Sequence, residues 1–261
     1  MVAFPASKTP ARPPPSVSPF VDIALMQPDG ILIINPRDFT DRRASIERQL
    51  CALNMAYEFI HEFDIVDITP ELEQRYFPGT NMRQSQKSCA LKHRHAHALI
   101  VQRGWTCGLV LEDDVLLAPD FAQGLQAALQ EGSTLPDPKV IFIGNGGNFY
   151  TPRSQRITGQ HLYRAEKGRF GDSYLLSAAT AKLRLDWIDA NNIGRPMDNL
   201  FDHIDPLLGI GLYWLEEPVV EQGSKNGLFT STLEPLPPRP VQAFKFAMEK
   251  FRRKYLYQLW R

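Results

Sequence analysis

Between residues 31 and 145, short apolar runs alternate with longer stretches of helical periodicity, and few architectures accept that order. "ILII" (31–34), "FDIVDIT" (63–69), "CGLVLEDDVLL" (107–117) and "KVIFIGN" (139–145) have the length and bounding turn residues of buried strands. Between them lie three helical patterns. In "TDRRASIERQLCALNMAYEF", Thr40 or Asp41 is the expected cap, and Ile46, Leu50 and Leu53 recur on one face. In "SQKSCALKHRHAHALIVQRG", Cys89, His93, Ala96 and Ile100 share a face and Gly104 is the stop. Pro119 and Asp120 open the third, "APDFAQGLQAALQEG". Strand–helix alternation of this kind predicts an α/β fold with a largely parallel sheet.

Beyond residue 145 the pattern loosens. "HLYRAEK", "GDSYLLS" and "LYWLEEPVVEQ" read as strands, and "AATAKLRLDWIDAN" and "RPMDNLFDHI" as helices. Residues 1–19, rich in Pro, Ser and Ala, read as a disordered leader. The expected main domain is 20–234, followed over 235–261 by a Pro-rich linker and a basic, aromatic helix. That tail suits a helix packed on the domain or peripheral contact with an anionic inner membrane leaflet.

Lys+Arg and Asp+Glu are equal at 29 each, so no global field draws the chain to nucleic acid. The 3 cysteines include no CxxC pair, which argues against a disulfide framework or zinc knuckle. The N-terminal stretch lacks the apolar core of a signal peptide. No apolar run approaches the roughly 20 residues that span a bilayer. The expected location is cytoplasmic.

The chemistry concentrates in Glu112, Asp113 and Asp114, three acids at the end of a buried strand. In a parallel α/β sheet, ligands sit beyond the carboxyl ends of the strands. Adjacent carboxylates there repel unless a cation neutralises them, and hard oxygen ligands favour Mn²⁺ or Mg²⁺ bridging to substrate phosphates. Acids facing solvent or paired with arginines are the plain alternative. A phosphatase could also carry strand-end aspartates, but the DxDx(T/V) pattern expected near the first strand is missing. His93 and His97 are four apart on one helix face; without HExxH or an evident third ligand, zinc is not the favoured reading. "GNGG" at 144–147 is no dinucleotide fingerprint and reads as a loop after a strand.

"SCALKHRHAHALIVQRG" followed by "LVLEDDVLLAPDF" resembles glycosyltransferase family 25, whose members carry a GCxxSHxxxW helix, a strand ending in LEDDV and a Pro-Asp-Phe helix. Further likenesses fall in the family's order. "IINPRDFTDRR" is similar to INLxxRxDR and matches Asn35, Asp41 and Arg42. "DSYLLSAATAKL" is similar to AYLISxxGAxKL, "RPMDNLF" to PVDxxL at Asp198, and "EEPVVEQGS" to PxxxxQ at Pro218 and Gln222. The likeness runs from about residue 31 to 225. Lys92 stands where the family has the Ser of its SH pair, and "QSQK" where it has Gly-Glu.

The resemblance implies a GT-A type, Rossmann-like nucleotide-sugar-binding fold with a central mixed, mainly parallel sheet. It implies inverting transfer of a hexose, galactose first, from a UDP-sugar to a glycan acceptor such as lipopolysaccharide core or capsule. Asp114 is the expected direct metal ligand, with Glu112 or Asp113 as second ligand or as a contact to the donor. His203 or Gln222 is expected to complete the metal shell. Inversion in one displacement needs a base on the acceptor hydroxyl, for which Asp198 is the first candidate and Asp172 the second; a helix cap is the plain role for Asp198. Arg42 and Arg43 are expected near donor phosphate, or as solvated helix arginines. Asn35 is expected to bond nucleobase or ribose, or to hold a turn with Pro36. His93 is expected near the donor, or joining helix to sheet. Two rivals remain: a binder on the same fold that has lost turnover, and a metal-dependent phosphoester hydrolase.

Overall fold

The structure, a computed structural model, describes residues 26–224 together with Met248, Glu249, Phe251, Arg252 and Tyr255. The proposed leader, the Pro-rich linker and all but those five positions of the basic tail lie outside the described residues.

The chain runs β1 (Gly30–Ile34), α1 (Thr40–Ala52), β2 (Glu58–Ile60), α2 (Pro70–Tyr76), α3 (Gln84–Gln102), β3 (Gly108–Glu112), β4 (Val115–Leu117), α4 (Phe121–Thr134) and β5 (Lys139–Phe142). It continues β6 (Leu162–Ala165), β7 (Ser173–Leu176), α5 (Ala178–Asn191), α6 (Met197–Leu207), β8 (Gly211–Leu215) and β9 (Val220–Gln222). Among the described residues, seven strands form one sheet in the order β2-β1-β3-β7-β5-β8-β6. Strands β2, β1, β3, β5 and β8 point one way, and β7 and β6 run against them. This is the mixed, mainly parallel α/β sheet that the sequence and its family likeness lead one to expect.

Both faces of the sheet are covered, which is why its central strands are apolar at nearly every position. On one face Ile31, Ile33, Leu109 and Leu111 pack with Ile46 and Leu50 of α1 and Phe121, Leu125 and Leu129 of α4. On the other, Leu32, Ile34 and Val110 pack with Ala96 and Ile100 of α3 and Ala181 of α5. The α3 face read from spacing is therefore the buried one, and Gly104 follows that helix at φ +64°, a left-handed residue of the kind that ends helices.

Local capping explains several boundaries. Thr69 accepts the Leu72 N–H and Pro70 starts α2, while Ser177 accepts the Thr180 N–H at the start of α5. At α1 the cap position is Phe39 rather than Thr40 or Asp41, and no side chain caps it.

Three expected strands are not what the spacing suggested. "FDIVDIT" holds a short 3₁₀ turn at Ile65–Asp67, and the second strand is the earlier Glu58–Ile60. Val66 is 87% exposed and lines a cavity mouth with Ile65, while Phe63 and Ile68 of the same run pack against the core. "CGLVLEDDVLL" breaks at Asp113–Asp114 into β3 and β4, and "LYWLEEPVVEQ" breaks into β8 and β9. The short halves β4 and β9 pair antiparallel, with Val115 opposite Gln222. Three acids in succession cannot continue a buried ladder, so the chain turns there and carries Gln222 to the acids.

Candidate active site

The first parallel strand, β1, has β2 on one side and β3 on the other, so the chain changes winding direction there. A crevice opens beyond the carboxyl ends of such strands. Here it is a cavity of about 330 Å³ lined by Ile34, Phe39, Arg42, Glu112, Asp113 and Asp114, among others. Gln222 and Ser224 close the β9 side, and Ile65 and Val66 form part of the apolar wall.

The three acids have different surroundings. Asp113 accepts from Asn35 Nδ2 at 2.7 Å and from Arg42 Nη1 at 3.1 Å. Burial pushes its pKa up to about 7, against the pull of Arg42. Glu112 receives Gln222 Nε2 on one oxygen at 3.3 Å, and its other oxygen is 3.4 Å from His93 Nε2. Asp114 is 3% exposed, its backbone carbonyl accepts the Gly223 N–H, and its Oδ1 meets no hydrogen-bonding group among the described residues.

Behind the turn lie two more acids. Asp172 precedes β7, is fully buried, accepts from Ser173 Oγ at 2.8 Å, and leaves Oδ2 without a partner among the described residues. Burial raises its pKa well above the carboxylate range, and Glu112, Asp114 and Asp198 add to the rise. Asp198 sits in the first turn of α6 and accepts the Gly171 N–H. Burial, then the nearby Glu112 charge, push it up to about 7. Gly171 is required here by space: a Cβ at that position would lie 2.9 Å from Asp198 Oδ1 and 3.3 Å from the His93 ring.

The charges of Glu112, Asp114 and Asp198 thus add to the raised pKa of Asp172, and that of Glu112 to the raised pKa of Asp198, while Asp114 Oδ1 and Asp172 Oδ2 have no hydrogen-bond partner among the described residues. An acidic group with orphaned oxygens fits a hard divalent cation. A second grouping is softer: the Cys89 sulfur, a His93 ring nitrogen and a Glu112 carboxylate oxygen lie within 4.8 Å of one another. Burial raises the Cys89 thiol well above its ordinary pKa, and the surrounding carboxylates add to that.

Placement corrects several expectations. Asn35 does not line the cavity; its amide holds Asp113 and reaches the Phe39 carbonyl at 3.5 Å, the turn-holding role. Arg42 does line it, half-buried, with its guanidinium 4.6 Å above the Phe39 ring. His93 is fully buried behind Glu112 rather than in the cavity wall. Asp172 lies in the same layer, 1% exposed. His203 is not brought to the acids: it lies on the exposed face of α6 against Trp187 and borders a separate shallow hollow with Arg195, Asn199 and Asp202. Five helical residues from Asp198 turn a side chain through about 140°, which explains the separation.

Sequence reading missed two anchors of this region. Lys92, where the family has Ser, is buried; its Nζ pairs with Asp64 at 2.8 Å and donates to the carbonyls of Asn35, Ile60 and Glu62. It ties α3 to the ends of β1 and β2, and the signal for it was a lysine on an otherwise apolar helix face. Tyr174, read only as a strand residue, sets its hydroxyl 2.9 Å from His93 Nδ1 and 3.0 Å from His97 Nε2.

Residues 29–183, more than half of the chain, match the family model described as glycosyltransferase family 25 (LPS biosynthesis protein). No curated protein matches. Among solved structures, one similar chain is described as a glycosyltransferase involved in the glycosylation of the major capsid of PBCV-1. It is 10% identical with a TM-score of 0.38, covering 84% of this chain and 98% of that one. Another is a mannose-1-phosphate geranyltransferase from Thermus thermophilus, 12% identical with a TM-score of 0.35, covering 77% of this chain and 64% of that one.

Proposed function

The chain belongs to glycosyltransferase family 25, and from that premise we propose that it moves a hexose, galactose favoured, from a UDP-sugar to a glycan acceptor such as lipopolysaccharide core or capsule, with inversion and with Mn²⁺ or Mg²⁺. The observation that carries this reading is the cavity at the β1/β3 crevice, where Glu112, Asp113, Asp114 and Arg42 line one space with the apolar Phe39, Ile65 and Val66.

Nucleotide binding follows from that wall. Phe39, Ile65 and Val66 offer apolar surface to a base, and Arg42 offers a cation to a diphosphate. Asp113 is already engaged by Asn35 and Arg42, so it sets the position of Arg42. Asp114, with its unengaged oxygen, and Glu112 are the residues that would hold the divalent ion. Such an ion, when bound, supplies Lewis-acid neutralisation of a leaving diphosphate. Asp198 is the acceptor-side base: it keeps part of its surface open, and an elevated pKa makes a carboxylate a better proton acceptor near neutrality. His93 and Gln222 orient Glu112.

An acceptor carried on a membrane surface would suit the basic tail, of which all but Met248, Glu249, Phe251, Arg252 and Tyr255 lies outside the described residues. Among the described residues, no helix is long and apolar enough to cross a membrane.

Incubating the protein with UDP-galactose, Mn²⁺ and a truncated lipopolysaccharide core, and following UDP and glycan mass, tests the reading. One hexose added per UDP released is the expected result. Failure to bind any nucleotide sugar, with or without Mn²⁺, overturns it, and release of inorganic phosphate instead would indicate a phosphoester hydrolase.

A further inference from the structure

We infer that His97, Tyr174 and His93 form a one-way hydrogen-bond relay that fixes the His93 proton on Nε2, so that this nitrogen donates to Glu112 and is closed to metal. The inference deepens the proposed donor site, because it decides how Glu112 is presented there.

The geometry leaves little freedom. His93 and His97 lie one turn apart on α3, both fully buried, and both rings reach the single hydroxyl of Tyr174, at 2.9 and 3.0 Å. A tyrosine hydroxyl has one proton, so it donates to one ring and must accept from the other. The free end of the chain decides which. His97 Nδ1 is buried and has no hydrogen-bond partner among the described residues. A buried N–H without an acceptor is a rarer and costlier orphan than an unprotonated ring nitrogen. The His97 proton therefore sits on Nε2 and donates to the Tyr174 oxygen. Tyr174 then donates to His93 Nδ1. The neutral His93 ring keeps its one proton on Nε2, which is 3.4 Å from the Glu112 carboxylate.

Burial agrees with a neutral ring at the far end of the relay: it lowers the pKa of His97 well below its usual value. Ring packing holds the planes, since His97 stacks on Phe201 at 5.3 Å and His93 meets the same ring edge-on at 6.4 Å.

Two consequences separate this arrangement from its rival. The Cys89–His93–Glu112 grouping has the spacing of a three-ligand site, yet a zinc-type site needs the Nε2 lone pair that the relay covers with a proton. In addition, both Glu112 oxygens receive a donor, one from His93 and one from Gln222. Tyr174 and His97 are thereby positioning residues, acting on the donor site through His93 and Glu112.

The test is long-range ¹H–¹⁵N correlation of the histidine rings in the full-length, ¹⁵N-labelled protein, which reports which nitrogen bears hydrogen. The expected result is a single Nε2–H form for both His93 and His97. A proton on His93 Nδ1 overturns the inference. So does stoichiometric Co²⁺ binding with a thiolate-to-cobalt absorption band that Cys89→Ser removes. Tyr174→Phe should turn the His93 signals into a tautomeric average, with transfer slowed about tenfold. Should that variant fail to fold, the His97 pair takes its place. His97→Gln, whose amide N–H can replace the ring donor, should keep His93 in one tautomer, and His97→Leu should release it. An unchanged His93 tautomer in His97→Leu and in folded Tyr174→Phe overturns the relay. Because the spectra need no substrate, an intact relay in a protein that binds no nucleotide sugar upholds the relay and sinks the donor-site reading alone.

Discussion

Two buried charged regions of this molecule are treated in opposite ways. Between α5 and α6, Arg184 meets Asp205 in a two-pronged pair at 2.8 and 2.6 Å, both side chains about 1% exposed. The guanidinium also lies 3.7 Å over Phe201. Charge there is matched one for one, beside the apolar cluster of Ile188, Leu200 and Ile204. At the strand end, Glu112, Asp114, Asp172 and Asp198 crowd together, and the cations near them, such as Arg42, are directed elsewhere. The fold can therefore neutralise buried charge where only packing is at stake. Where it leaves carboxylates short of cations, with orphaned oxygens, a ligand is the physical reason to tolerate the repulsion.

Four measurements would break or sharpen that contrast. The largest effect is expected for Asp114→Ala, which should lower kcat/KM at least about a thousandfold while leaving the unfolding midpoint close to wild type. Loss of fold instead would make Asp114 structural. Next comes Arg184→Leu, which strands Asp205 in an apolar setting and should cost about 3–5 kcal/mol in urea unfolding. The folded fraction should keep its turnover per molecule, because Arg184 serves packing rather than chemistry.

A smaller effect is expected from ligands. Mn²⁺ with UDP at about a hundred times its dissociation constant should stabilise the wild type by about 2.7 kcal/mol in thermal unfolding. Asp114→Ala should lose that shift and Arg184→Leu should retain it; equal shifts in the two would erase the distinction between the regions.

The last measurement concerns pH in the presence of EDTA. Asp198 has its pKa raised from 3.8 to about 7, so the folded chain holds a proton that the unfolded chain releases. Its contribution to stability is full below about pH 4, is lost as pH climbs toward 7, and is flat above. His93, lowered from 6.5 to about 4, contributes with the opposite sign between those values. The difference between wild type and Asp198→Asn isolates the carboxyl: the variant should lack that decline between pH 4 and 7, and parallel curves would remove Asp198 from the buried cluster.

Much of the fold was legible because it depends on local rules. The α5 boundaries, Ala178–Asn191, coincide with the stretch read from periodicity, since Ser177 caps one end and apolar spacing holds the rest. "FDIVDIT" misled because an apolar run need not be buried: Ile65 and Val66 are exposed at a cavity mouth. The acids were found because three carboxylates in sequence are visible without any structure. His203 was misplaced because proximity in sequence to Asp198 says nothing of helix face once the required rotation is counted.

By itself the sequence determined the strand–helix order, the buried α3 face, the acidic turn and the family, since each is a property of neighbouring residues or of a run of them. Only the tertiary structure decided what each acid meets: Asn35 and Arg42 on Asp113, His93 and Gln222 on Glu112, and, among the described residues, no donor on Asp114 Oδ1. Those partners come from positions up to 110 residues away. Hydrogen bonds and pKa shifts fall off within a few ångströms, so they depend on which strands become neighbours, and composition and spacing do not encode that distance.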